Sequence, residues 1–286
     1  MSAEEITKIR NVFDLIRAGL NQEHYHRIMN YLYEKAYGSH YMVHFPYHQR
    51  EGETLIQGQI NLTEVCLDVL PRIEGSTMIE VGCGNGVQSI YVKEHRTPAL
   101  MIGLDINEDN VELARYLAGA AKLEGIEFIC SDAQDMQGVE DASCDYLMNV
   151  ESGFHYPEKD RFFAEIHRVL KPGGMYVIAD IVAREDTRNF LLNRWERRLN
   201  QHYWPLPRYL ASLEAAGLTV DVNRDITDSM IAGFEDNRSW FDVGSRKGRR
   251  AALFALAIFA RIQISRHRYY LRNHCQYVLL SGKKAG

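Results

Sequence analysis

A chain of 286 residues, 46% of them hydrophobic and 25% charged, can bury one α/β-sized core with appended segments and needs no disulfide or metal to hold it. Its net charge of -5 argues against a nucleic-acid partner, and five cysteines standing singly, with no Cys-x-x-Cys pair, argue against a zinc site and for a reducing compartment. The charged start MSAEEITKIR lacks the apolar core of a signal peptide, and the longest apolar run, 251–260, falls short of the roughly 20 residues that span a bilayer. A cytoplasmic protein without integral membrane association is expected.

Along the chain, Ile6, Ile9, Val12, Phe13, Ile16 and Leu20 recur at helical spacing, and a second helix is predicted over 23–37, ending near Gly38. The stretch 39–52 is rich in His, Tyr and Phe and broken by Pro46, so it reads as a loop or strap. A helix over 54–70 stops before Pro71. Short apolar runs at 77–81, 101–105, 127–130, 144–150 and 175–182 then alternate with helices near 86–95, 108–121 and 158–170. That alternation specifies a parallel sheet covered on both faces. A helix over 207–216 stops at Gly217 and leads into a strand over 218–226, and a last strand over 276–280 closes the chain. Two segments, 184–206 and 227–272, do not fit the alternation. The expected partition is therefore a helical strap segment (1–62), a nucleoside-binding core (63–183), a lid insert (184–206), a core helix and strand (207–226), a helical cap insert (227–272) and a final core strand with its tail (273–286).

The run Met78-Ile79-Glu80-Val81-Gly82-Cys83-Gly84-Asn85-Gly86 takes a strand directly into a glycine turn and a helix. Such a turn lets backbone N–H groups approach a ligand at a helix N-terminus. The next strand ends in Asp105, a carboxylate placed to accept both ribose hydroxyls, and the third is followed by Ser131-Asp132-Ala133, with a second carboxylate near an adenine amine. Glu80, just before the glycines, is expected beside the positive end of the ligand. Phosphates are poorly served by so many acids; a cationic sulfonium is served well. A nicotinamide-dependent oxidoreductase is the competing reading, but the glycines fall at 82, 84 and 86 and position 87 is Val, which departs from G-x-G-x-x-G.

Glu80–Gly86 resembles motif I of the class I S-adenosylmethionine-dependent methyltransferases, and Ile102-Gly103-Leu104-Asp105 resembles their motif II. Arg168-Val169-Leu170-Lys171-Pro172-Gly173-Gly174 is similar to the family's turn before strand five. Val150-Glu151-Ser152-Gly153-Phe154-His155-Tyr156-Pro157 and Asn223-Arg224-Asp225-Ile226-Thr227 are similar to a bacterial subgroup that O-methylates phthiotriol-type lipids and glycopeptidolipids. The resemblance implies an α/β, Rossmann-like, doubly wound sheet of seven strands with the last antiparallel, a helical N-terminal segment and helical lid insertions. It implies S-adenosylmethionine as cofactor and S-adenosylhomocysteine as product. It places at the cofactor Glu80, Gly82, Cys83, Gly84, Gly86 and Gln88; Asp105, Ile106 and Asn110; Ser131, Asp132 and Ala133; and Asn149. An N-terminal strap over the methionine end would add Tyr41, Tyr47 and Gln59, with ring faces toward the sulfonium, although plain packing explains such aromatics equally.

Methyl transfer to a hydroxyl requires the proton to leave as the oxygen attacks. His155, just beyond the fourth strand, is the candidate base; the alternative is a pocket wall that hydrogen-bonds the acceptor. Glu151 is a second catalytic candidate, or a residue that sets the tautomer of His155. His40, His44 and His48 repeat every four residues, but Pro46 interrupts any helix and no Glu accompanies them, so no metal site is expected. In the inserts, Phe190, Leu191, Trp195, Leu199 and Trp204 give a lid-like amphipathic pattern, and Met230, Phe234, Trp240 and Phe241 alternate with many arginines. They read as a helical cap, as a pocket for a greasy acceptor bearing an anionic group, or as a homo-oligomer contact. The expected acceptor is a small hydrophobic or lipid-like natural product methylated on oxygen. C-methylation of a prenyl diphosphate, sterol or quinone precursor is the main alternative, and N-methylation a third.

Overall fold

The computed structural model describes residues 30, 34, 39–184, 200–235 and 265–285. The helices predicted over 1–20 and 23–37, most of the lid segment and residues 236–264 of the cap lie outside the described residues.

Seven strands form one sheet in the order β3-β2-β1-β4-β5-β7-β6. They are β1 (Thr77–Val81), β2 (Leu100–Asp105), β3 (Ile126–Cys130), β4 (Cys144–Val150), β5 (Leu170–Ala183), β6 (Val222–Asp225) and β7 (Cys275–Lys283). β1 to β5 pair in parallel, and β7 lies antiparallel between β5 and β6. The helices are α1 (Leu55–Leu67), α2 (Val87–Arg96), α3 (Glu108–Ala120), α4 (Lys159–Val169), α5 (Leu206–Ala215) and α6 (Thr227–Glu235), with a 3-10 turn at Gly153–His155. The chain reverses direction in the sheet order at β1, between β2 and β4, so the carboxyl ends of these strands open on the crevice where such folds bind ligands.

The period-two side-chain alternation of the strands builds two cores. Met78, Met101, Met148, Val177, Ala179 and Leu279 face α1, α2 and α6. Their neighbours Ile79, Ile102, Leu147, Ile178 and Leu280 face α4 and α5. Burying both faces is what makes these strands continuous apolar runs. Caps set the helix starts: Thr54 Oγ1 accepts from Gln57 N at 3.1 Å and Asn107 Oδ1 from Asp109 N at 3.0 Å.

Several boundaries differ from those expected. β5 begins at Leu170, not 175: Leu170 pairs with Cys144 and Met175 with Tyr146, so Lys171–Gly174 bulges out between two paired points. The strand expected over 218–226 is regular only over Val222–Asp225, while Leu218 meets Lys284 in an isolated antiparallel bridge. The division expected at 62/63 cuts α1, one continuous helix. α6, which follows the division expected at 226/227, packs on the sheet, with Met230 and Phe234 fully buried and Thr227 Oγ1 accepting from Tyr277 N at 2.8 Å.

Candidate active site

β1 ends in a turn that its neighbour tethers: the N–H groups of Gly82 and Cys83 both donate to Leu104 O, at 2.7 and 2.8 Å. Gly82, Gly84 and Gly86 have φ of 75°, 54° and 75°, a region costly for any residue with a Cβ. Their surroundings differ. A Cβ on Gly82 would overlap Ser152 Oγ, and one on Gly86 would lie 2.5 Å from Ala114 Cβ. Among the described residues, a Cβ on Gly84 would meet nothing nearer than Val43 Cγ2 at 3.8 Å. Two glycines thus permit packing, and the third leaves an open face at the N-terminus of α2. Cys83 is a buried turn residue whose thiol burial pushes up.

Asp105, at the end of β2, accepts from Gly84 N at 2.9 Å through one carboxylate oxygen and from Asn107 N at 2.9 Å and Asn110 Nδ2 at 3.3 Å through the other. Ile106 follows with 71% of its surface exposed, an apolar side chain displayed beside the turn. At the end of β3, Ser131 Oγ is buried and meets no partner among the described residues. Asp132 accepts from Gln134 N at 2.8 Å, and Ala133 is buried behind it. The Glu80 carboxylate is buried and accepts from Ser89 Oγ on α2, and burial pushes it up to about 8. Through that oxygen it braces α2 against β1. Asn149 is also buried, and its amide donates to Val81 O at 2.8 Å and Ser152 Oγ at 2.6 Å, binding the β4 loop to the glycine turn.

The strap, residues 39–50, runs over α1 toward α6. Asn85, inside the glycine turn, donates to Tyr41 O at 2.9 Å. Gln59 donates to Met42 O at 2.6 Å and His44 O at 2.8 Å, and Gln88 to Thr63 Oγ1 at 2.8 Å. The amides of Gln59 and Gln88 are therefore engaged within the protein. Tyr47 packs on the core and its N–H donates to Gly58 O at 3.0 Å; the packing alternative describes it. Phe45 wedges between Phe234 and His267, at ring-centroid distances of 4.9 and 4.4 Å. His44 is buried, which lowers it to about 4. No group of three His, Cys, Asp or Glu among the described residues is arranged to hold a metal.

His155 sits on the 3-10 turn beyond β4, with Nδ1 3.3 Å from Asn200 O. A donor at Nδ1 puts the lone pair on Nε2. Glu151 is the residue immediately after β4. Its carboxylate accepts from Phe45 N at 3.0 Å and from Tyr277 Oη at 3.0 Å, and burial pushes it up to about 8. Beneath the turn lies a pair that sequence reasoning misses. Asp180 accepts from Phe154 N at 3.3 Å and Tyr209 Oη at 3.3 Å, while Lys159 donates to Tyr156 O at 2.9 Å and His202 O at 2.6 Å. A signal for Asp180 does exist: it is a lone acid inside the apolar run Tyr176–Ala183.

The family profile described as a methyltransferase domain matches residues 73–207, from the lead into β1 to the start of α5. This stretch is a class I methyltransferase domain. A fatty-acid O-methyltransferase of Mycolicibacterium smegmatis is 39% identical to the chain over 127 residues, 44% of this chain and 43% of the relative. A probable phthiotriol/phenolphthiotriol dimycocerosates methyltransferase of Mycobacterium ulcerans is 31% identical over 189 residues, 66% of this chain and 62% of the relative. The chain thus matches less than two thirds of the length of either. Among solved structures, the cyclase SpnF superposes with a TM-score of 0.72 at 22% identity, over 92% of this chain and 95% of that one. The geranyl diphosphate C-methyltransferase of Streptomyces coelicolor superposes with a TM-score of 0.68 at 16% identity, over 92% and 98%. At these identities the superpositions establish the fold of the methyltransferase domain and not its chemistry. Among the described residues no helix is long and apolar enough to cross a membrane.

Proposed function

We propose that the chain binds S-adenosylmethionine and transfers its methyl group to a hydroxyl of a hydrophobic, lipid-like acceptor, releasing S-adenosylhomocysteine. The observation that carries the cofactor half is the open face of Gly84 with Asp105, exposed Ile106 and partnerless Ser131 Oγ ranged beside it on successive strand ends. Gly82 to Gly84 would receive the amino-acid end, Asp105 the ribose, and Ile106, Ser131, Asp132 and Ala133 the adenine. The cofactor supplies a methyl group already activated on a cationic sulfur, so the protein's work is to align the acceptor, exclude water and remove a proton.

The names of both relatives support a lipid acceptor, and that of the fatty-acid O-methyltransferase supports transfer to oxygen. His155 at the carboxyl end of β4 is the residue assigned to the hydroxyl proton, with Nε2 as the accepting atom. The five cysteines, none of them in a disulfide, support work in the cytoplasm. Incubating the protein with labelled cofactor and a panel of fatty acids, hydroxylated lipids and prenyl diphosphates tests the reading. Label on oxygen, with a titrating acidic limb of the pH–rate profile that His155→Ala loses, supports it, and label on carbon replaces it with the C-methyl alternative.

A further inference from the structure

Glu151 has an unusual setting. It is the residue after β4, it holds φ at 50°, and its N–H donates to Ala179 O on β5 at 2.8 Å. A residue with a side chain persists in that backbone region when its surroundings over-determine it. Both carboxylate oxygens are engaged, one by the strap's Phe45 N–H and the other by Tyr277 Oη on β7. The strap carrying Phe45 also carries Tyr41, whose carbonyl is bound by Asn85 of the glycine turn, and Val43, the nearest group to the open face of Gly84. One carboxylate therefore ties the roof of the turn to the two strands that flank the acceptor side.

We propose that Glu151 is a positioning residue, a latch that holds the strap over the glycine turn, and that its role is to place Tyr41 to Phe45 and not to exchange a proton with the acceptor. A glutamine preserves this latch, since its carbonyl accepts from Phe45 N–H and its amide donates to Tyr277 Oη. An alanine leaves a buried N–H and a buried hydroxyl without their acceptor. Tyr277→Phe removes one of the two ties.

The test is hydrogen exchange of the strap, residues 39–50, in the unliganded protein, with S-adenosylhomocysteine affinity and turnover at saturating cofactor measured beside it. Only the last two arms rest on the proposed function. Strap exchange should quicken about tenfold or more in Glu151→Ala, less in Tyr277→Phe, and stay within about threefold of the parent in Glu151→Gln. Affinity should follow the same order, falling about tenfold in Glu151→Ala while turnover at saturation falls less. Unchanged strap exchange in Glu151→Ala overturns the latch, as does a collapse of turnover in Glu151→Gln with the strap still protected. Should the alanine variant fail to fold, strap exchange in Tyr277→Phe and turnover in Glu151→Gln decide the same two points.

Discussion

The N–H of Gly84 donates to the carboxylate of Asp105 across 2.9 Å, which makes the glycine turn of β1 and the acid ending β2 a single unit. Removing the acid loosens the turn and, under the proposed function, also deletes the acceptor for the cofactor's ribose. Asp105→Ala should weaken S-adenosylhomocysteine binding by about 100-fold, or about 2.7 kcal/mol, the scale of a lost charge-assisted hydrogen bond or two. Isothermal calorimetry on the folded variant measures it; an unchanged affinity would remove Asp105 from the site.

The glycines of the turn separate folding from binding. Gly82→Ala drives a Cβ onto Ser152 Oγ at a φ of 75°, so both strain and overlap oppose it. A cost of about 3 kcal/mol is expected, a fall in Tm of about 6 °C or more for a domain of this size. Among the described residues Gly84→Ala meets only an ordinary contact with Val43, so the left-handed backbone cost of about 1 kcal/mol is the main one. Its melting temperature should stay near the parent's while affinity for S-adenosylhomocysteine drops about tenfold or more, because the methyl occupies the face the ligand needs. Differential scanning calorimetry and a binding isotherm on the two variants give the contrast.

The alternation of strands and helices, the glycine turn and the acids at strand ends were legible in the sequence because each is a local pattern. Burial on both faces writes itself as an apolar run, and a turn needing positive φ writes itself as glycine. The direction of a buried carboxylate is not local. Glu80 within β1 and Glu151 just past β4 stand near strand ends as Asp105 does, yet Ser89 on α2 captures the first and the strap with β7 the second. Nothing near Glu151 in sequence announces partners 106 and 126 residues away. The bulge at Lys171–Gly174 was hidden for a similar reason, since only pairing with β4 shows that the strand starts before it.

These two carboxyls also set the pH response of the unliganded protein. Burial raises each from 4.5 to about 8, so the fold favours their protonated forms. For a group whose folded pKa is raised, the stabilisation is complete below its unfolded value and disappears as pH rises through the folded one. His44 works in the other direction: lowered from 6.5 to about 4, it costs stability only as pH falls below 6.5. Between pH 6.5 and 8 the glutamates act alone of the three. The melting temperature should decline across that window, with a slope of up to about 1.4 kcal/mol per pH unit for each glutamate. Glu151→Gln should flatten the decline, and thermal melts at half-unit pH steps check both. A melting temperature that rises over this range in the parent would contradict the burial of the two groups.

The last prediction concerns the pair beneath His155. Asp180 is fully buried, and burial raises its carboxyl against the pull of the Lys159 ammonium. Gly153 lets the turn come so near that a Cβ there would lie 2.5 Å from Asp180 Oδ2. The carboxylate grips the turn at Phe154 N while Lys159 grips it at Tyr156 O, so His155 stands on a segment held from both ends. Asp180→Ala deletes one grip and removes a buried carboxyl on which the Lys159 charge acts, which costs about 3–5 kcal/mol. Asp180→Asn retains an acceptor for Phe154 N and loses only the charge. Thermal melts should therefore rank the parent above Asn and Asn above Ala. Because Asp180 supports the acceptor side and leaves the glycine turn alone, turnover should fall by about tenfold in the asparagine variant while S-adenosylhomocysteine affinity stays within about threefold. A loss of affinity as large as the loss of turnover would show that the pair serves the fold as a whole and not the placement of His155.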